Sequence, residues 1–435
     1  MQIFTIKEKI EKNLANCNSA AFYKFITSSQ QSNLNVEEKT KEIINLVKKN
    51  GDKALINLCN KFDKSKFKTA NDLLVSKSEF NSCEKELSKE IKDALKLAFK
   101  RISSYHKKQL PKNFNFKDSS ETTLGNIWKI IENIGIYVPG GSASYPSSVL
   151  MSAVPALVAG VKNISICAPT SSGKINPAVL YAAKLCGIEK IYKIGGAGAI
   201  AALTFSTKTV KKVDKIVGPG NAFVASAKKI LFGEVGIDMI AGPTDVTIIA
   251  DKNINPSWVA ADVLSQLEHG ADSKAFVIVN DEKFAVKIFS EIMQLKQSLP
   301  RLDIIDKSIQ NSAIFVLKNL DDAAHIANFI APEHLQIATK NAAKLAKNIN
   351  NAGAIFLGNY TPESIGDYIA GPSHTLPTSA SAKFSSGLSV FDFLKRISLI
   401  SCNKKSFKNL ANATEVLAEY EGLHAHKLSI SIRKN

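Results

Sequence analysis

The run IENIGIYVPGGSASYPSSVLMSAVPALVAGVKNISICAP (131–169) sets two short β-rich segments around a Gly/Ser loop and an apolar helical segment. Strand, loop, helix and strand in that order form the pattern of a parallel βαβ unit. The alternation continues through NPAVLYAAKLCG, EKIYKIGG, AGAIAALTFS, VDKIVGPG and NAFVASAKKILFG, and resumes after VTIIAD with KAFVIVN, SAIFVL and GAIFLG. We therefore expect an α/β fold with two doubly wound, Rossmann-like parallel-sheet units, at 131–240 and 241–380. The stretch 1–130 is lysine-rich, with apolar residues at three- and four-residue spacing over Val36–Phe62 and Ser78–Gln109. It reads as a helical segment expected to pack with 241–380. From about 381 the texture changes again to GLSVFDFLKRISLISC and the helical NATEVLAEYEG, a small tail domain (381–435) of the kind that packs on a partner subunit.

Bulk properties narrow the class. The chain has 435 residues, 45% of them hydrophobic and 22% charged, as in a soluble globular protein with sizeable cores. The net charge of +17 comes almost entirely from lysine: only Arg101, Arg301, Arg396 and Arg433 supply guanidinium groups. Specific nucleic-acid readers use arginine forks and stacking aromatics, so the charge reads as a solvated surface that also attracts anionic ligands, and no nucleic-acid partner is expected. Cys17, Cys59, Cys83, Cys167, Cys186 and Cys402 form no CxxC pair, which fits reduced thiols in the cytoplasm. The start lacks a signal-peptide pattern, and Val149–Val161 is too short to cross a bilayer, so no membrane association is expected.

The segment SWVAADVLSQLEHGADS (257–273) reads as a helix whose core face is Trp258, Val259, Val263 and Leu267, closed by Gly270 as its C-cap. Gln266 and His269, three apart, leave the same face near its end. Glycine-rich turns at 139–148, 195–202, 218–223 and 241–245 read as following strands, where free N–H groups suit a phosphate. GAGAIA (196–201) fits G-x-G-x-x-A, but no acidic ribose-binding residue is evident about 20 positions on. APTSSGKI (168–175) resembles a P-loop, but Ala168 and Ile175 stand where glycine and Ser/Thr are needed.

Six of the seven histidines lie from His269 onward, several beside acidic residues. APEHLQI (331–337) sets Glu333 beside His334 in what reads as a loop, a possible general base or two. Asp367 and His374 share a Gly/Pro-rich loop, and Glu421, His424 and His426 lie near the end. No HExxH, Cys/His finger or EF-hand pattern is present. An amide, two or three imidazoles and a carboxylate would nonetheless suit zinc if the fold gathered them.

Taken together and in order, IGIYVPGGSASYPSSVLM, GPGN, DVLSQLEHGADS, APEHLQI, GDYIAGPSHTLPTS, FSSGLSVFDF and EGLHAHK resemble the histidinol dehydrogenase family from about residue 120 onward. The resemblance implies oxidation of L-histidinol to L-histidine through histidinal with two NAD+ and one zinc per subunit. It implies Gln266, His269, Asp367 and His426 as zinc ligands, leaving out His424, and Glu333 and His334 as the acid–base pair. It further implies substrate contacts from Thr244, Gln266, His269, His334, Asp367, His374, Glu421 and His426, and NAD contacts from Tyr137, Gly198 and Asn221. A homodimer is implied, with each active site completed by the partner's tail. The sequence departs from the family at GGAGA, where Gly198 replaces a glutamine near NAD, and at AGPTD, where Thr244 and Asp245 replace Ser and Glu. The alternatives are a same-fold zinc and NAD enzyme for another polar primary alcohol, and a non-catalytic metal- or nucleic-acid-binding protein.

Overall fold

A computed structural model describes residues 1–6, 25–26, 34–140, 145–170 and 173–434. Cys17, the middle of the 139–148 loop and the serines of APTSSGKI lie outside the described residues. The chain opens with strand β1 (Gln2–Ile6), then helices α1 (Leu34–Asn50), α2 (Asp52–Phe62) and α3 (Lys89–Lys107). Strands β2 (Phe114–Lys117) and β3 (Thr123–Ile130) form an antiparallel ribbon. The expectation of an all-helical 1–130 therefore gives way at three strands. The run NFNFK lies exposed at the edge of a small sheet, and its short period-2 pattern is masked by lysine.

The first Rossmann-like unit follows. It comprises β4 (Asn133–Tyr137), α4 (Pro146–Ala159), β5 (Asn163–Cys167), α5 (Pro177–Leu185), β6 (Ile191–Tyr192), α6 (Gly196–Phe205), β7 (Lys215–Val217), α7 (Ala222–Leu231) and β8 (Gly236–Ile237). All five strands are parallel, in the order β6-β5-β4-β7-β8. Ile134, Ile136 and Val138 are fully buried on one face and Tyr137 is buried on the other, as expected of a strand covered on both faces. One face is packed by α3, α4 and α5, the other by α1, α2, α6 and α7. The N-terminal helices thus cover this first unit, not 241–380 as the sequence suggested. Among the described residues of 1–130, β1 joins the second sheet, and Phe25 and Ile26 pack against its core. Helix amphipathicity states that a face must be buried, not against which sheet.

The second unit repeats the topology with β9 (Asp245–Ala250), α8 (Pro256–Leu267), β10 (Lys274–Val279), α9 (Glu282–Leu295), β11 (Ala313–Leu317), α10 (Ala323–Ile330), β12 (His334–Ala338) and β13 (Ala354–Leu357). Its strands are parallel, in the order β1-β11-β10-β9-β12-β13. Helix α11 (Glu363–Tyr368) leads to the tail. There β14 (Leu394–Ser401) pairs antiparallel with β3, and α12 (Lys404–Tyr420) and α13 (His424–Ser431) complete the chain. Among the described residues no helix is long and apolar enough to cross a membrane.

Local chemistry fixes the ends of the site-bearing helices. Asn255 caps α8 through Ser257 N–H at 3.0 Å, with Pro256 in the first turn. Asn221 caps α7 in the same way. Helix α8 ends at Leu267, and Gly270 keeps a negative φ, so it is not the left-handed cap expected. Trp258 does not face the core either: it is 42% exposed and packs on Tyr360 with ring centroids 5.5 Å apart. Val259, Val263 and Leu267 are buried as expected. The AGPTD turn follows the short β8 and runs into β9, and APEHLQI is the entry to β12, one strand in from the edge strand β13.

Candidate active site

Strands β9 and β12 are neighbours at the point where the strand order of the second sheet reverses. Ligands in open α/β sheets usually bind outside the carboxyl ends of strands at such a point. Here the titratable cluster gathers at the amino ends: Thr244 precedes β9, Glu333 precedes β12, and His334 is the first residue of β12. Helix α8 runs back along the sheet and delivers Gln266 and His269 to the same end. Helix α11 adds Glu363 and Asp367, four residues apart and so on one face.

The distances are short. His334 Nδ1 lies 4.0 Å from Glu333 and 3.6 Å from Glu363, and His334 Nε2 lies 3.3 Å from Asp367. Gln266, Glu333, His334 and Glu363 are all buried. The Gln266 amide turns its NH2 to Glu363 Oε1 at 2.6 Å, while its oxygen accepts from Asp245 N–H at 3.1 Å and from the Thr244 hydroxyl at 2.7 Å. The reverse orientation would set the amide oxygen against a carboxylate. The Thr244 hydroxyl is also hydrogen-bonded to the Glu333 carboxyl. His374 Nδ1 donates to the Asp367 carbonyl at 3.0 Å, which leaves Nε2 to accept from Ser148 at 3.2 Å. Ser148 belongs to α4, so the first unit reaches into a cluster built on the second.

Burial and crowding set the protonation states. Burial pushes Glu333 up to about 7 and Glu363 up to about 8. Burial alone would disfavour the His334 imidazolium, but Glu363, Glu333 and Asp367 outweigh it and hold its pKa well above 6.5. Burial would raise Asp367 as well, yet its hydrogen bond with His334 keeps it below the usual carboxylate value. His374 and His269 are lowered, chiefly by desolvation, and stay neutral.

Ligand atoms of His269, Glu363 and Asp367 all lie within 4.8 Å of one another. One imidazole and two carboxylates, with the Gln266 amide against Glu363, are a donor set that fits a borderline dication such as zinc. Of the four ligands expected from sequence, Gln266, His269 and Asp367 come together. His426 sits on α13 and Glu421 at the end of α12, both exposed and outside this group in a single chain. Glu363 was not foreseen. Its signal was the four-residue spacing to Asp367 in ESIGD, which places two carboxylates on one helical face.

A separate cavity of about 1370 Å³ opens at the carboxyl ends of β4, β5 and β7, lined among others by Tyr137, Gly198 and Asn221. Its volume is ample for a dinucleotide. The Tyr137 hydroxyl accepts from Gly196 N–H at 3.0 Å and keeps its proton, with burial raising its pKa to about 12. Asn221 spends its side-chain oxygen on the α7 cap, leaving its NH2 free of that bond. A Cβ at position 198 would lie 3.2 Å from Leu58 of α2, so a side chain there must press on the N-terminal helices. Backbone approaches closely at the glycine turns. A Cβ at Gly195 or Gly140 would meet Pro169 at 2.6 Å, and Gly218 holds φ +111 against the Tyr137 carbonyl.

Residues 26–434 match the family model described as Histidinol dehydrogenase. A relative so named from Hydrogenovibrio crunogenus is 44% identical over 403 residues, 92% of this chain and 93% of that one. One from Brucella suis is 45% identical over 415 residues, 95% and 96% of the two chains. The crystal structure of histidinol dehydrogenase from Elizabethkingia anophelis superposes with a TM-score of 0.92 at 38% identity, covering 99% of this chain and 98% of that one.

Proposed function

Since the chain belongs to the histidinol dehydrogenase family, and is thus an oxidoreductase of histidine biosynthesis, we propose that it oxidises L-histidinol to L-histidine through histidinal, with two NAD+ and one zinc per subunit. The observation that carries this reading is the buried Glu333–His334 pair beside a His/Glu/Asp donor set.

His269 and Asp367, with Glu363 alongside, would hold the metal in one chain; Gln266 would join them by turning its amide oxygen from Thr244 and Asp245 toward Glu363, and His426 of a second copy would add its imidazole. When bound, zinc fixes the substrate's polar groups and lowers the pKa of the groups around it. With Glu363 and Asp367 engaged by the metal, the carboxylates that hold a proton on His334 would no longer do so; in the first oxidation the freed imidazole takes the alcohol proton while hydride leaves the carbinol carbon for the nicotinamide, giving the aldehyde and NADH. Water then adds to the aldehyde as Glu333 removes its proton, and the hydrate yields the second hydride to form the acid. Thr244 orients Glu333 through its hydroxyl, and His374 holds Asp367 in place through its ring N–H. Tyr137, Gly198 and Asn221 serve the dinucleotide.

The homodimer belongs to this reading. The tail leaves Ile400, Val416, Leu417, Tyr420, Leu428 and Ile432 exposed, an apolar surface that a second copy would cover while bringing Glu421 and His426 to the neighbouring site. A cytoplasmic location belongs to the same reading.

The test is His334→Asn. It should lower histidinol-dependent NADH formation about a hundredfold to ten-thousandfold, the range for a lost general acid–base group, while zinc content stays unchanged. Wild-type turnover in that variant would remove His334 from the chemistry.

A further inference from the structure

The glycine-rich turn at the start of α6 lacks the acidic partner that dinucleotide sites of this topology place at the end of the next strand. That strand is β7, which ends at Val217, and the next residue, Gly218, has a φ of +111 and a contact with the Tyr137 carbonyl that leave no room for a side chain. Among the described residues three carboxylates nevertheless line the cavity, Asp63, Glu79 and Glu86. Glu79 is paired with Lys193 at 2.6 Å; Asp63, at the C-terminal end of α2 and more than a hundred residues earlier in the chain, is the one at the glycine turn. Its Oδ2 lies 3.4 Å from where a Cβ at Gly195 would stand, which puts it over the Gly195–Gly196 turn.

Asp63 is held firmly. Its N–H bonds the Cys59 carbonyl at 2.9 Å, Lys64 takes a left-handed φ of +51, and Ser65 bonds the Thr170 hydroxyl at 2.9 Å. The Thr170 backbone N–H donates to the Asp63 carboxylate, and burial raises its pKa to about 6. It therefore remains an anionic acceptor at neutral pH. Lys64 and Lys174, on the lining of the same cavity, supply positive charge for a pyrophosphate.

We propose that Asp63 accepts the hydroxyls of the adenosine ribose and so selects a dinucleotide with a free 2′-hydroxyl over one carrying a 2′-phosphate. This rests on the dinucleotide reading of the cavity. A ribose diol offers two O–H donors to a fixed carboxylate, whereas a 2′-phosphate would bring a dianion against it. The N-terminal helices then act as a wall of the cofactor site and supply its specificity element, a role beyond scaffolding for 1–130.

The experiment is calorimetric titration of the full-length protein with NAD+ and with NADP+, without histidinol, for wild type, Asp63→Asn and Asp63→Ala. Asp63→Asn keeps an acceptor for Thr170, so the turn should survive, as an unchanged circular dichroism spectrum and melting temperature would show. Wild type should bind NAD+ far more tightly than NADP+. Asp63→Asn should weaken NAD+ about tenfold, the loss of hydrogen bonds to a charged acceptor, and bring NADP+ to within about threefold of it. Unchanged affinities and preference in a folded Asp63→Asn protein overturn the assignment while leaving the dinucleotide site intact. Wild type that binds neither compound overturns the dinucleotide reading, and this assignment with it.

Discussion

Lys228 on α7 is among the largest side chains buried to near completion in the described residues, and its exposure is 2% against 0% for its partner Asp238. Its ammonium donates to the Asp238 carboxylate and to the Gly218 carbonyl at 3.0 Å, while Asp238 accepts from the Gly218 and Met239 N–H groups at 2.7 and 2.6 Å. The pair thus grips both polar groups of Gly218, the residue that begins GPGN. Lys228→Met keeps the stem's volume but leaves a buried carboxylate without its countercharge and a carbonyl without its donor. Removing one partner of a buried pair costs about 3–5 kcal/mol, and the two N–H donors left to Asp238 place the expected loss near the lower end. Urea unfolding followed by circular dichroism should show an earlier transition in Lys228→Met and partial recovery in Lys228→Met/Asp238→Asn, a coupling of more than about 1 kcal/mol. NAD+ affinity should fall as well, because the loop presenting Asn221 loosens. A shift below about 1 kcal/mol with unchanged NAD+ binding would refute the reasoning.

Two further outcomes follow from the geometry. If each active site takes His334 from one chain and Glu421 from the other, co-expressed His334→Asn and Glu421→Gln chains should recover about a quarter of wild-type activity, because half the dimers are mixed and each holds one intact site. No recovery in demonstrably mixed dimers would show that each chain supplies its own tail residues. Because burial raises Asp63 to about 6, its carboxylate is lost as pH falls through that value, so calorimetric NAD+ affinity should decline below about pH 6, levelling off about tenfold down near the Asp63→Asn value, and be nearly flat in Asp63→Asn. A wild-type profile as flat as the variant's would contradict this.

The strands of both units were legible because parallel strands buried on both faces are short apolar runs, as in IENIGIYV and KAFVIVN. β12 was hidden because its first residues, His334 and Gln336, are buried polar groups that break the apolar run; the strand carries the site, and chemistry overrides hydrophobic pattern there. Trp258 failed as a core residue because helical spacing fixes a face but not its width. Thr244, Gln266, Glu333, His334 and Asp367 could be named from ordered motifs and are brought together by the fold. The meeting of Glu363 with Gln266, of Ser148 with His374, and of Asp63 with Gly195 joins segments far apart in the chain. No local period records such contacts. Glu421 and His426 lie in solvent in the single chain, and the roles proposed for them need a second copy, which no local pattern in the sequence records.

The most direct measurement of the central claim is the yield of NADH from limiting L-histidinol with excess NAD+, with and without a chelator. The account predicts two NADH and one L-histidine per histidinol, lost on chelation and restored by zinc. One NADH with accumulated aldehyde, or full turnover in metal-free protein, would contradict it.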